Sequence, residues 1–115
     1  KKVDNIITTI DYNGQQIDWA TDDVLPMGNL KKKFEAFGWD VLDIKEGNDL
    51  EAILKGMKEA KSRTGKGKPV CVLLHTIMGH GVDFMMYTHA WHGKAPNDEQ
   101  LATALAQNPE TLGDY

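Results

Sequence analysis

An α/β fold, built as a parallel sheet with crossover helices, is the architecture this sequence predicts, and two observations carry the prediction. The run Val70-Cys71-Val72-Leu73-Leu74 is apolar at successive positions, so both faces of that strand need cover, as in a sheet layered by helices. Strand-like and helical stretches then alternate along the rest of the chain, giving a strand-helix-strand-helix-strand order with right-handed crossovers.

Val3 to Tyr12 reads as the first strand, because Ile6, Ile7, Thr8, Thr9 and Ile10 are β-branched in succession, and its apolar positions on both faces imply burial. Asn13-Gly14 ends it in a turn, since both residue types tolerate positive φ. Weak alternation from Gln15 to Trp19, followed by Pro26, argues against a hairpin there. Ala20 to Asn29 has the composition of a connecting loop, and Leu30 to Phe37 shows a short helical pattern that Gly38 can close as a left-handed cap. Lys31, Lys32 and Lys33 form its solvated face. Trp39 to Ile44 fits a second strand with one face less buried.

Asn48, with Glu51 three residues on, is expected to cap a helix from Asp49 to about Ser62. Leu50, Ile53, Leu54, Met57 and Ala60 recur at helical spacing and form the stripe that should lie on the sheet. Thr64 to Pro69 is a solvated turn; its Gly-Lys content lacks the spacing of a phosphate loop, and no helix follows it. After the third strand and a long loop, Asn97 and Gln100 form a capping box for a last helix with Leu101, Ala102, Leu105 and Ala106 as its apolar side. The tail from Asn108 is polar and reads as loose.

At 115 residues the chain is one domain, spanning 1–115, and a net charge of -4 argues against a nucleic-acid partner. No apolar run is long enough to cross a bilayer and no secretory signal opens the chain, so a cytoplasmic location is the default expectation. The single cysteine, Cys71, lies inside the apolar strand and reads as a small buried hydrophobe. The start at Lys1, without methionine, has the look of a piece of a longer protein. A sheet of three apolar strands is thin, and further neighbours are expected from another segment or chain.

Two loops leave strand carboxyl ends, Asp11 to Asp18 and His75 to Lys94. In a parallel sheet both lie at one edge, where ligands of open α/β folds bind. That edge gathers Asp11, Asn13, Asp18, His75, His80, His89 and His92, a mixture suited to a hard metal ion, a phosphate group and proton transfer. The histidines also raise a zinc site through the pairs His75/His80 and His89/His92, but no cysteine pair lies nearby, so zinc ranks low. His80 and His89 read as surface or hydrogen-bonded residues. His92 differs, because Trp91 anchors it on one side and Gly93 permits close backbone approach on the other.

Three segments together resemble the N-terminal half of transketolase: Asp11-Tyr12-Asn13-Gly14-Gln15-Gln16-Ile17-Asp18, Phe34-Glu35-Ala36-Phe37-Gly38-Trp39-Asp40-Val41, and Trp91-His92-Gly93-Lys94-Ala95-Pro96-Asn97. They occur in the family's order, Thr76, Gly79 and Gly81 fall in its glycine loop, and the last segment looks most like members split into two subunits. The resemblance implies a partial thiamine diphosphate-binding fold, in which thiamine diphosphate and Mg²⁺ (or Ca²⁺) serve two-carbon ketol transfer between sugar phosphates, a reaction of the pentose phosphate pathway.

On that resemblance Asn13 would ligate the metal through its side chain and Gln15 through its backbone carbonyl, and His92 would lie near the cofactor diphosphate and the reacting centre. It further implies a homo-oligomer whose partner is the remaining segments or a C-terminal subunit. The departures are Met78 and His75 in place of lysines, Trp19 in place of a glycine found in many bacterial members, and the family's Gly-Asp-Gly motif, which would precede Lys1. A neutral thioether cannot offset phosphate charge as an ammonium does. A non-catalytic module that keeps the fold is the alternative these departures raise, and an enzyme acting on a related ketose or sulfosugar is a third.

Overall fold

The computed structural model describes residues 2–108. Its centre is β3 (Val70–His75), the middle strand of a three-stranded parallel sheet ordered β1-β3-β2, with β1 (Ile7–Tyr12) and β2 (Asp40–Ile44) on its two sides. The register pairs Thr9 and Leu42 with Val72, and Tyr12 with His75. Central position explains why Val70, Cys71, Val72 and Leu73 are all buried, as an unbroken apolar run requires.

The remaining elements are α1 (Thr21–Val24), α2 (Leu30–Ala36), α3 (Leu50–Arg63), a 3-10 turn at His89–Trp91 and α4 (Asp98–Gln107). Between β2 and β3, α3 packs on the face formed by Leu42, Val70 and Val72, with Ala60 at the centre of the contact and Ile44, Met57 and Leu74 around it. Gly56 lets the helix sit close, since a Cβ there would meet the Ile44 side chain. The helix is longer than its apolar contact, and Arg63 at its end bonds Asp40 at 2.7 Å, joining the helix to the strand it follows.

Several boundaries differ from the sequence reading. The first strand begins at Ile7, and Val3 and Ile6 are exposed. As an edge strand, β1 packs Ile7 against the core but leaves Thr9 and Asp11 in solvent, so the expected burial of both faces is corrected. Ala20 to Asn29 contains the one-turn helix α1, and an isolated antiparallel bridge, Gln15 to Ala20, folds the preceding loop back on itself where no hairpin was expected.

The cap of α3 is Asp49, whose side chain accepts the Ala52 N–H at 2.7 Å. Asn48 lies one residue outside and accepts the Ile77 N–H, also at 2.7 Å, so the asparagine is used for a long-range contact in place of the expected cap. Leu50 and Leu54 are exposed, at 67% and 60%, because the sheet covers only the Ile53-Gly56-Met57-Ala60 side of the helix. The α4 capping box is present, with Asn97 accepting from Gln100 N and Gln100 returning to Asn97 N. Its apolar side is not covered: Leu101, Ala102, Leu105 and Ala106 are exposed, and the helix is held by polar contacts of Gln107 with Asp83 and of Asn108 with Gly81. The tail expected to be loose lies outside the described residues apart from Asn108.

Candidate functional site

Parallel strands bring the loops after β1 and β3 to one sheet edge, but the register sorts their side chains into separate groups. Tyr12 and His75 are register partners and meet edge to face, with ring centroids 5.4 Å apart. Asp43, on β2, reaches across to the same histidine: its Oδ1 lies 2.7 Å from His75 Nε2, while its Oδ2 is 2.8 Å from Lys45 Nζ. Lys45 Nζ is also 3.2 Å from His75 Nε2. An ammonium only donates and a carboxylate only accepts, so Nε2 either donates to Asp43 or accepts from Lys45, and the shorter distance favours donation. Sequence reading singled out His75 but missed Asp43 and Lys45. The signal available was their place at the end of β2, one strand away.

Burial pushes the Asp43 carboxyl up, but the hydrogen bonds and positive charges of Lys45 and His75 outweigh it and hold the group below the usual carboxylate range. A folded-state value below the unfolded one means that this contribution to stability is full above the unfolded value, about pH 3.9, and is lost as pH falls through the folded value. Asp43→Asn is therefore expected to weaken the acid dependence of stability. Urea midpoints at about pH 5 and about pH 3 measure it, and equal losses in variant and parent would count against the assignment.

Asn13 and Gln15 occupy the turn after β1. Asn13 Oδ1 accepts the Gln15 N–H at 2.9 Å, which folds the turn and leaves that oxygen a second lone pair. The Gln15 carbonyl receives no backbone hydrogen bond among the described residues, while its neighbours are paired, Thr21 N with Gly14 O and Gln16 N with Trp19 O, each at 2.9 Å. Two half-buried oxygens, one amide and one backbone, thus retain capacity in the same turn. Both are hard neutral donors of the kind Mg²⁺ and Ca²⁺ accept. Asp11 lies just before the turn and is engaged by the Thr76 hydroxyl; Asp18 is exposed.

The histidines do not converge. His80 is exposed beside a cavity of about 380 Å³ that Lys45, Asn48, Asp49 and His75 also line. His89 stacks on Trp19, a contact absent from the sequence reading, with ring centroids 5.4 Å apart and planes inclined by 22°. His92 is exposed and closes the 3-10 turn through its N–H on His89 O, 2.9 Å away. Trp91 beside it is fixed by Nε1 donating to Phe84 O at 2.9 Å and by Lys94 Nζ standing 4.7 Å from the ring centroid. Among the described residues no three His, Cys, Asp or Glu side chains are grouped to hold a metal ion. Cys71 is fully buried, and burial pushes its thiol up, away from the thiolate that nucleophilic chemistry needs.

These observations define an open parallel α/β domain with oxygen donors in the loop at a strand's carboxyl end. The chain belongs to the transketolase family: the model of the transketolase thiamine diphosphate binding domain matches residues 1–110. It is 33% identical over 111 residues to an apulose-4-phosphate transketolase subunit of Phocaeicola vulgatus, covering 96% of this chain and 38% of that protein. It is 35% identical over 107 residues to the 6-deoxy-6-sulfo-D-fructose transketolase subunit SqwG of a Clostridium species, covering 93% of this chain and 38% of that one. Among solved structures, the transketolase of Campylobacter jejuni superposes with a TM-score of 0.77 at 31% identity, over 90% of this chain and 16% of that chain. The chain thus spans less than two-fifths of the length of these relatives. No helix among the described residues is long and apolar enough to cross a membrane.

Proposed function

We propose that this chain supplies part of a transketolase-type site, in which Asn13 Oδ1 and the Gln15 carbonyl ligate Mg²⁺ (or Ca²⁺) and His92 lies beside the diphosphate of thiamine diphosphate. The observation that carries the reading is the pair of oxygens in one turn with acceptor capacity to spare. Two neutral donors do not offset a divalent charge, so the shell would be completed by cofactor phosphate oxygens and by a carboxylate from another segment or subunit. Bound thiamine diphosphate would supply the carbanion stabilisation that ketol transfer requires. This chain's own residues would orient and bind: Asn13 and Gln15 position the metal, and the exposed His92 imidazole can donate a hydrogen bond to phosphate or move a proton.

The activity is then that of a transferase within a larger assembly, with the isolated chain not competent. Relatives named for apulose 4-phosphate and for 6-deoxy-6-sulfo-D-fructose support a sugar bearing a phosphate or sulfonate as the substrate class. The partner in this reading is a C-terminal subunit or the complementary segments, in a cytoplasmic homo-oligomer. Calorimetric titration of thiamine diphosphate with Mg²⁺ into the chain, beside Asn13→Ala, tests the reading. Loss of one ligand should weaken metal-dependent binding by at least about tenfold, or about 1.4 kcal/mol. Equal binding by the variant would remove Asn13 from the site, and no binding by either would move the weight to a non-catalytic module that retains the fold.

A further inference from the structure

We propose that Trp19 and His89 are a positioning pair that clasps the Asn13-Gln15 turn to the His92 turn; the part of this concerning cofactor rests on the function proposed above. The two turns come from different strands, and no hydrogen bond among the described residues joins residues 13–20 to residues 77–97. The stack of Trp19 on His89, at 5.4 Å and 22°, spans that gap.

Each ring is tied by backbone to the functional residue on its own side. Trp19 O accepts the Gln16 N–H and Gly14 O accepts the Thr21 N–H, each at 2.9 Å, so Trp19 sits on the return arm of the bridged loop that contains Gln15. Gln15 in turn bonds Asn13 through its N–H. On the other side His89 opens the 3-10 turn and its carbonyl accepts the His92 N–H at 2.9 Å. The far end of that turn is already held by Trp91 on Phe84, through the Nε1 bond and a ring contact at 5.2 Å. A displacement of Trp19 therefore acts on Gln15 and Asn13 within one loop, and a displacement of His89 acts directly on His92.

The stack also accounts for a tryptophan on a polar loop. Trp19 is 60% exposed, so it is not a core anchor, and the contact with His89 is what fixes its ring. An aromatic pair of this kind is worth about three- to tenfold in an equilibrium beyond simple burial. Two loops that must jointly hold one charged ligand gain that factor by being ordered before the ligand arrives.

Hydrogen exchange by mass spectrometry on the full chain, with Trp19→Ala, Trp19→Phe, His89→Ala and the double alanine variant, tests the clasp without any ligand. Amides of residues 13–20 and 88–94 are expected to exchange about three- to tenfold faster in both single alanine variants, while those of 70–75 stay unchanged. Trp19→Phe should restore most of the protection, and the double variant should be no worse than either single one. Acceleration confined to the mutated loop, or additive effects in the double variant, would overturn the proposal. Calorimetry with thiamine diphosphate and Mg²⁺ then reads the functional part: affinity should fall in Trp19→Ala and recover in Trp19→Phe. Coupled exchange without cofactor binding by the parent chain would leave the clasp standing and reject the cofactor reading, whereas uncoupled exchange rejects the clasp whether or not cofactor binds.

Discussion

Replacement of Val72 by aspartate is expected to abolish the native sheet. Val72 is fully buried, pairs with Thr9 on one side and Leu42 on the other, and packs in the cluster with Ala60 and Val70. No buried polar or charged side chain is present among the described residues to receive a carboxylate. An unpaired ionised group there costs several kcal/mol, or protonates and still loses the packing of the valine. Domain stability is about 5–15 kcal/mol, so a loss above about 4 kcal/mol takes most of a marginal domain's reserve. Circular dichroism in urea measures it. The control is Thr9→Asp, the register neighbour on the exposed edge strand, where the expected change is within about 1 kcal/mol. Similar losses in both variants would mean that the edge of β1 is covered after all.

Gly47→Ala is expected to cost about 2–3 kcal/mol, because overpacking against backbone cannot be relieved by a rotamer change. Gly47 is buried where the β2-α3 loop crosses the carboxyl end of β3, and its N–H donates to His75 O at 2.8 Å. A Cβ there would stand 2.5 Å from His75 O, 2.7 Å from its carbonyl carbon and 2.9 Å from its nitrogen. Moving the loop outward would break that bond and the neighbouring one from Ile77 N to Asn48. Since His75 ends β3 and Ile77 lies in the loop that leads on to His92, the variant should also loosen the candidate site. Gly56→Ala is the informative contrast. Its Cβ would meet only the Ile44 side chain, which can rotate, and alanine gains about 1 kcal/mol of helix propensity, so the net effect should be small. Thermal unfolding of the two variants side by side checks the ordering, and a Gly47→Ala midpoint equal to the parent's would show that the loop yields freely.

The sequence by itself determined the elements whose chemistry is local. The apolar run 70–74 reads as a strand covered on both faces, and its residues Val70 to Leu73 are the buried centre of the sheet. Asn97 and Gln100 are three residues apart, the spacing at which each side chain reaches the other's backbone N–H, and their box caps α4. Gly38 stands at φ +85°, as a helix-closing glycine should. The family was legible as well, because the turn around Asn13 and the Trp91-His92-Gly93 segment are contiguous motifs.

What only the tertiary structure decided were the questions of which surface faces which. Periodicity marks Leu50, Leu54, Leu101 and Leu105 as apolar sides of helices, but it says nothing about whether a sheet reaches them, and all four are exposed. Asn48 and Asp49 are equally good caps by type; Asn48 is drawn away by Ile77, a partner beyond the reach of any local rule. The histidines lie close in sequence yet fall into two groups in space, His75 and His80 along one cavity and His89 and His92 in one turn, and His75 turns to Asp43 while His89 turns to Trp19. Local chemistry acts within a few residues along the chain, whereas those pairings join residues brought together only once the sheet has formed, and no spacing in the sequence encodes them.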